Sequence, residues 1–185
     1  MRILVSAVCL AAAIASLSTH AQQSPTLANS ELRQKNVVEA LQEREILERD
    51  LATQMAEIKS RADLNRYLAK SRNDSPLSLL SAGAKQRFVQ SLRFSDRGLA
   101  SFDYRDLRDE LTASQIYRIL SLFGAERTTA SIPNLRVSST TDELILLQRG
   151  GVSQLRMTED YPGFACISRA SCAKAADHIC IGSSC

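Results

Sequence analysis

The sequence predicts a mainly α-helical protein with a long N-terminal amphipathic helix, a small helical bundle, a short β-hairpin and a disulfide-stapled C-terminal tail. Three observations carry that fold class. Residues 29–70 contain neither Gly nor Pro and space their apolar residues by threes and fours. Residues 112–124 run from a capping box to a glycine stop. Four of the five cysteines, Cys166, Cys172, Cys180 and Cys185, fall in the last twenty residues.

The chain opens with the pattern of an export signal. Met1-Arg2 is a short positive start, Ile3 to Leu17 is an almost unbroken apolar run that includes Cys9, and Ala21 offers a small residue before polar Gln22-Gln23-Ser24. At about fifteen residues the run falls short of the roughly twenty needed to span a bilayer. Residues 1–21 are therefore expected to be a cleaved signal peptide, and no membrane span is expected elsewhere. Removing 21 of the 185 residues leaves 164, enough for one domain with an extended arm. Residues 22–74 are read as that arm, 75–160 as a helical domain with a small β element, and 161–185 as the cysteine-rich tail. The expected location is periplasmic or secreted.

Within the arm, Val37, Leu41, Leu47, Leu51, Met55, Ile58 and Ala62 mark one stripe of a helix over 29–70. Opposite charges four apart (Glu31/Lys35, Arg44/Glu48, Glu45/Arg49, Glu57/Arg61) support it. The stripe can pack on the protein's own domain, form a coiled-coil seam between copies, or lie in a membrane interface. The six-residue step from Leu41 to Leu47 interrupts a heptad, and the mixed sign of the polar face disfavours the membrane. Ser75-Pro76 then caps a new helical start, and Leu77, Leu79 and Leu80 begin a short helix. Phe88, Val89 and Leu92 share one side of another helix, Ser95-Asp96-Arg97-Gly98 reads as a turn, and Tyr104, Leu107 and Leu111 fall at helical spacing.

The fullest local signal is Thr112, with Gln115 three residues on, then Ile116, Ile119, Leu120 and Phe123 before Gly124. Leu111-Thr112-Ala113-Ser114-Gln115 also resembles the LTxxQ motif of the periplasmic Spy/CpxP stress-chaperone family. The resemblance spans five residues, without the second copy that family normally carries. It implies an exported helical protein that binds unfolded clients. Beyond Gly124 the texture turns to Thr, Ser and β-branched residues. Residues 135–138 are read as extended, and Gly150-Gly151 as a hairpin turn between 143–148 and 152–158.

An even number of closely spaced cysteines after an export signal points to two disulfides. Short loops favour Cys166 with Cys172 and Cys180 with Cys185, among three possible pairings. A zinc site built from these cysteines and His178 is the competing chemistry, but it lacks the usual CxxC pair. His178 is the sole histidine after residue 21 and has no nucleophile elbow beside it. Asp103, Asp106, Asp109 and Glu110 alternate with Arg105 and Arg108, as on a solvated helix face. Phosphate-binding glycine loops are absent, and no basic block offers a nucleic-acid surface.

No catalytic residue, cofactor or metal is assigned. The expected function is that of an exported, periplasmic binding or structural protein that engages a protein partner, or itself, through the long helix. The alternative is a secreted effector, toxin or inhibitor that uses the disulfide-linked tail for recognition. N-terminal sequencing of the exported protein should begin at Gln22; an intact Met1 would remove the argument for an oxidising compartment.

Overall fold

A computed structural model describes residues 25–70, 74–152 and 160–185, with side chains described over 33–70, 74–147 and 160–185. The signal segment 1–21, the arm boundary around residue 73 and most of the second hairpin strand, 153–158, lie outside the described residues. Six α-helices and a four-stranded antiparallel sheet form the described structure. The mainly helical class holds. The sheet is larger than the single hairpin expected, and it lies elsewhere in the chain.

The helix expected over 29–70 divides in two. α1 runs Pro25–Met55 and α2 runs Arg61–Ala69. No glycine or proline forces the break. The backbone leaves the helix so that Ile58 can bury fully in the core, and its amide donates to the Leu122 carbonyl at 2.9 Å. Ser60 restarts the helix by accepting from the Asp63 amide, and α2 then buries Leu64 and Tyr67. Ser75 caps the 3-10 turn Pro76–Leu79 and hydrogen-bonds the Tyr67 hydroxyl at 2.7 Å.

α3 (Ala82–Ser91) is capped by Ser81, which Glu110 holds through both its amide and its hydroxyl. β1 (Arg93–Ser95) and β2 (Gly98–Asp103) form a tight hairpin about Asp96-Arg97, the turn expected from sequence. α4 (Arg105–Glu110) follows. Around β2 the core closes through Phe88, whose ring stands edge-on to Phe102 at 6.0 Å and to Phe123 at 6.2 Å. Leu64, Leu77, Leu107, Ile116, Ile119, Leu120, Ile132 and Ile179 complete it.

α5 (Ala113–Ser121) begins at the expected capping box. The Gln115 side-chain oxygen accepts from the Thr112 amide at 2.9 Å, whereas the Thr112 hydroxyl lies 3.2 Å from the Ser114 hydroxyl. A second cap comes from far along the chain. Asp142, fully buried, accepts from the Ser114 amide at 2.6 Å, from the Ser138 amide at 3.0 Å and from the Ser139 hydroxyl at 2.8 Å. One carboxylate thus closes the start of α5 and the start of α6 (Thr140–Val152).

α6 corrects the expected Gly-Gly hairpin. Residues 143–148 and both Gly150 and Gly151 are helical. Ser139, accepting from the Asp142 amide at 3.2 Å, begins the helix, and Ile145 buries on one side of it. The expected extended stretch at 135–138 reduces to one bridge between Thr112 and Arg136.

The true C-terminal hairpin is the cysteine tail. β3 (Asp160–Ser168) and β4 (Ser171–Ile181) pair antiparallel, and β4 also pairs with β2, giving the order β1-β2-β4-β3. Their turn is Arg169-Ala170, with Ala170 at a φ of 55°. Between Pro162↔Ile179 and Phe164↔Lys174 the register shifts, and β4 makes an excursion around residues 175–178. Asp177 at its crest, with a φ of 55°, accepts from Arg105 Nε and Arg108 Nη1, each at 3.0 Å. Two disulfides brace this hairpin, Cys166–Cys185 and Cys172–Cys180. They are nested instead of sequential, because Cys172 and Cys180 face each other across the excursion and the Cys185 terminus folds back to Cys166.

Burial pushes the Asp142 carboxyl up, but the amides of Ser114 and Ser138 and the hydroxyls around it prevail and hold it far below the usual carboxylate range. A depressed folded value means stability present above the unfolded value, about 3.9, and lost as the pH falls below it. Asp142→Asn should lower unfolding stability at pH 7 by about 2 kcal/mol. It should also flatten the loss of stability on acidification below about pH 4. Urea unfolding measured across pH checks both; an unchanged acid slope would mean that Asp142 does not carry it.

Candidate interaction face

The sequence directs α1 onto the body with a largely polar edge. Val38, Gln42, Glu45, Arg49 and Thr53 fall at steps of four and three and are partly or fully buried, and Val38 alone among them is apolar. Glu45 is 5% exposed. Arg49 spans the joint, donating from Nε to Glu45 at 2.8 Å and from Nη1 and Nη2 to the two Asp160 oxygens at 3.2 Å each. Arg127 donates to both Glu45 oxygens, its Nε at 2.9 Å, and its Nη1 reaches Glu48 at 2.7 Å. These five side chains join α1, the 3-10 turn Glu126–Ser131 and the first residue of β3.

Such a cluster exists only because its charges answer one another. Burial pushes the Glu45 carboxyl up, but hydrogen bonds from Arg127 and Arg49 outweigh it and leave the group below the usual range. At Asp160 burial prevails and raises the carboxyl, with Arg49 opposing it only in part. Backbone contact completes the joint. Gly124, at a φ of 64°, ends the segment after α5, and a Cβ there would stand 2.5 Å from the Ala52 carbonyl oxygen.

With its polar edge turned inward, α1 turns its apolar stripe outward. Val37, Leu41, Leu47, Leu51 and Met55 are 58, 43, 67, 58 and 78% exposed. They are the α1 part of the stripe read from sequence, and none of them belongs to the core cluster, whereas Ile58, further along the same stripe, does. Ala40, Glu43, Arg44, Leu47, Glu48 and Leu51 line a shallow groove along this side. Several large apolar side chains exposed along one side of a helix make it a candidate contact face.

The other residues singled out by sequence have different places. Cys166, Cys172, Cys180 and Cys185 are all in disulfides, so their sulfurs are committed to S–S bonds. His178 lies at the edge of a groove with Arg61, Ser91, Arg93 and Phe94, its Nδ1 2.8 Å from the Ala176 carbonyl. The Ser91 hydroxyl there donates to the Phe88 carbonyl and accepts from the Asp103 amide. The acids are scattered among structural partners. Asp106 pairs with Arg87, Asp109 with Arg108, Asp103 with the Arg105 amide, and Glu110 with Ser81.

Leu111 is buried and Thr112 and Gln115 form the cap, so the LTxxQ-like residues are occupied in starting α5. Comparison with family models, curated proteins and solved structures finds no match for this chain. Among the described residues, no helix is long and apolar enough to cross a membrane.

Sequence reading missed the partners of Glu45 and Arg49. The pair at four-residue spacing is visible, but its connection to Arg127 and Asp160 is made only by folding. Gly124→Ala should cost at least about 1–2 kcal/mol from the left-handed backbone alone, and should loosen α1. Leu51→Lys should change stability by less than about 0.5 kcal/mol. Thermal and urea unfolding of the two variants, in solution dilute enough that the chain is monomeric, checks the contrast; a large loss in the Leu51 variant there would mean that the outer face is packed within the protein.

Proposed function

We propose that this is an exported, periplasmic binding or structural protein that engages a protein partner through the outer face of α1. The single observation that carries the proposal is the inversion of α1, whose charged edge is buried against the body while Val37, Leu41, Leu47, Leu51 and Met55 face out. Two disulfides fit an oxidising compartment such as the periplasm or the extracellular medium. Interleaved acids and bases along the chain argue for a protein partner over nucleic acid.

The secreted effector, toxin or inhibitor reading puts recognition on the stapled tail. Ile167, 64% exposed on β3, favours it. Against it, β4 of the same hairpin contributes Ile179 and Ile181 to the core, and Cys185 is buried. The buried part of the tail therefore serves the fold.

A photo-crosslinking amino acid placed at Leu47 or at Ile167 in the native host separates these readings. Adducts with protein from position 47 and none from 167 are expected, with the protein recovered from the periplasm. Adducts only from 167, with recovery in the medium, would favour the tail, and none from either position would remove both.

A further inference from the structure

We propose that the occupant of the α1 face is a second copy of this chain, docked antiparallel about a two-fold axis midway between Arg44 and Glu48. This deepens the reading of α1 as a binding arm and rests on it. Along the outer side of the helix, Val37, Leu41, Arg44, Glu48, Leu51 and Met55 follow one another by four, three, four, three and four residues. That is the alternation of a coiled-coil seam. The step from Leu41 to Leu47 that interrupts the apolar pattern is filled, on this seam, by one Arg–Glu layer. Arg44 is 75% exposed and Glu48 34%. The seam runs for about 27 Å at 1.5 Å per residue.

The seam is complementary to itself in one direction only. With the copies antiparallel, Leu41 meets Leu51, Val37 meets Met55, and Arg44 meets Glu48, each contact occurring twice by symmetry. With the copies parallel and in register, Arg44 meets Arg44 and Glu48 meets Glu48. Like charges facing across a contact disfavour that arrangement strongly. The charged layer at the centre therefore fixes both direction and register, while the apolar pairs on either side supply the attraction. Glu48 bridges Arg44 on the outer side, at 2.7 Å, and Arg127 of the body, at 2.7 Å, and stays partly exposed. Its carboxylate can accept from the other copy's Arg44 without leaving the body.

Sedimentation of the mature chain over a concentration series, together with paired variants, tests this. The wild type should show a reversible monomer–dimer equilibrium. Arg44→Glu and Glu48→Arg should each weaken self-association by at least about tenfold, because each replaces two attractive pairs with two repulsive ones. Mixed in equal amounts, the two variants should associate again. Circular dichroism of each variant checks that α1 remains helical.

Direction is read separately with a short bismaleimide under non-reducing conditions. It should join Leu41→Cys to Leu51→Cys and should not join Leu41→Cys to itself. Crosslinking of position 41 to 41 would overturn the antiparallel arrangement. A folded wild type that stays monomeric at every concentration would overturn the second copy as occupant. It would leave the binding arm to the crosslinking experiment at Leu47, where the mass of the adduct identifies any other partner.

Discussion

Asp160 is a carboxylate with a side chain only 1% exposed, and such a group needs a cation beside it. Arg49 is that cation, and the rest of the arrangement of α1 follows. To bring Arg49 to Asp160, the helix must lay the edge carrying Glu45, Arg49 and Thr53 against the body. Glu45 is buried with it and in turn needs Arg127. Val37, Leu41, Leu47, Leu51 and Met55 lie about a quarter-turn or more around the helix and are thereby carried outward. A buried ion network of this kind contributes little net stability compared with apolar packing, but it is intolerant of misalignment. It specifies which face of a charged helix points in.

The body to which α1 attaches is held together by different means. Its centre is an aliphatic and phenylalanine cluster enclosed by α2 to α5 and one face of the sheet. Asp142 joins the starts of α5 and α6, adding one buried carboxylate to the local Thr112/Gln115 and Ser139 caps. At the sheet, Cys172–Cys180 closes the base of the β4 excursion, and Cys166–Cys185 anchors the end of the chain beside it. The excursion is further fixed by Arg105 and Arg108 on α4, so its crest is tied to the helical layer. The disulfides thus stabilise a part of the sheet where ladder hydrogen bonds are interrupted.

These two parts give the protein a packed, cross-linked base and an outward apolar helix face. That face leaves Leu47 and Leu51 exposed to water, where apolar surface favours being covered. The same residue pairs that the isolated helix uses at four-residue spacing, Arg44 with Glu48 and Glu45 with Arg49, serve opposite directions in the folded chain. One lies on the outer face and one locks the inner joint.

Local chemistry was enough to determine several elements from sequence. The Thr112/Gln115 box, the Ser75-Pro76 start, the Ser95–Gly98 turn and the presence of two disulfides each depend on residues within a few positions or on the cysteine count. The start of α6 was not read from sequence: Ser139, which accepts from the amide of Asp142 three residues on, begins a helix that runs through Gly150-Gly151. The β3–β4 turn carried no local mark, because Arg169-Ala170 lacks the glycine or asparagine that usually accompanies positive φ. Tertiary structure alone decided the break at Met55, which follows from Ile58 entering the core, and the nested disulfide pairing, which follows from the register of β4. It also decided the direction in which α1 faces. Periodicity establishes that a helix has two unlike sides; which side is buried depends on what the rest of the chain presents, and here that was a buried carboxylate 111 residues beyond Arg49.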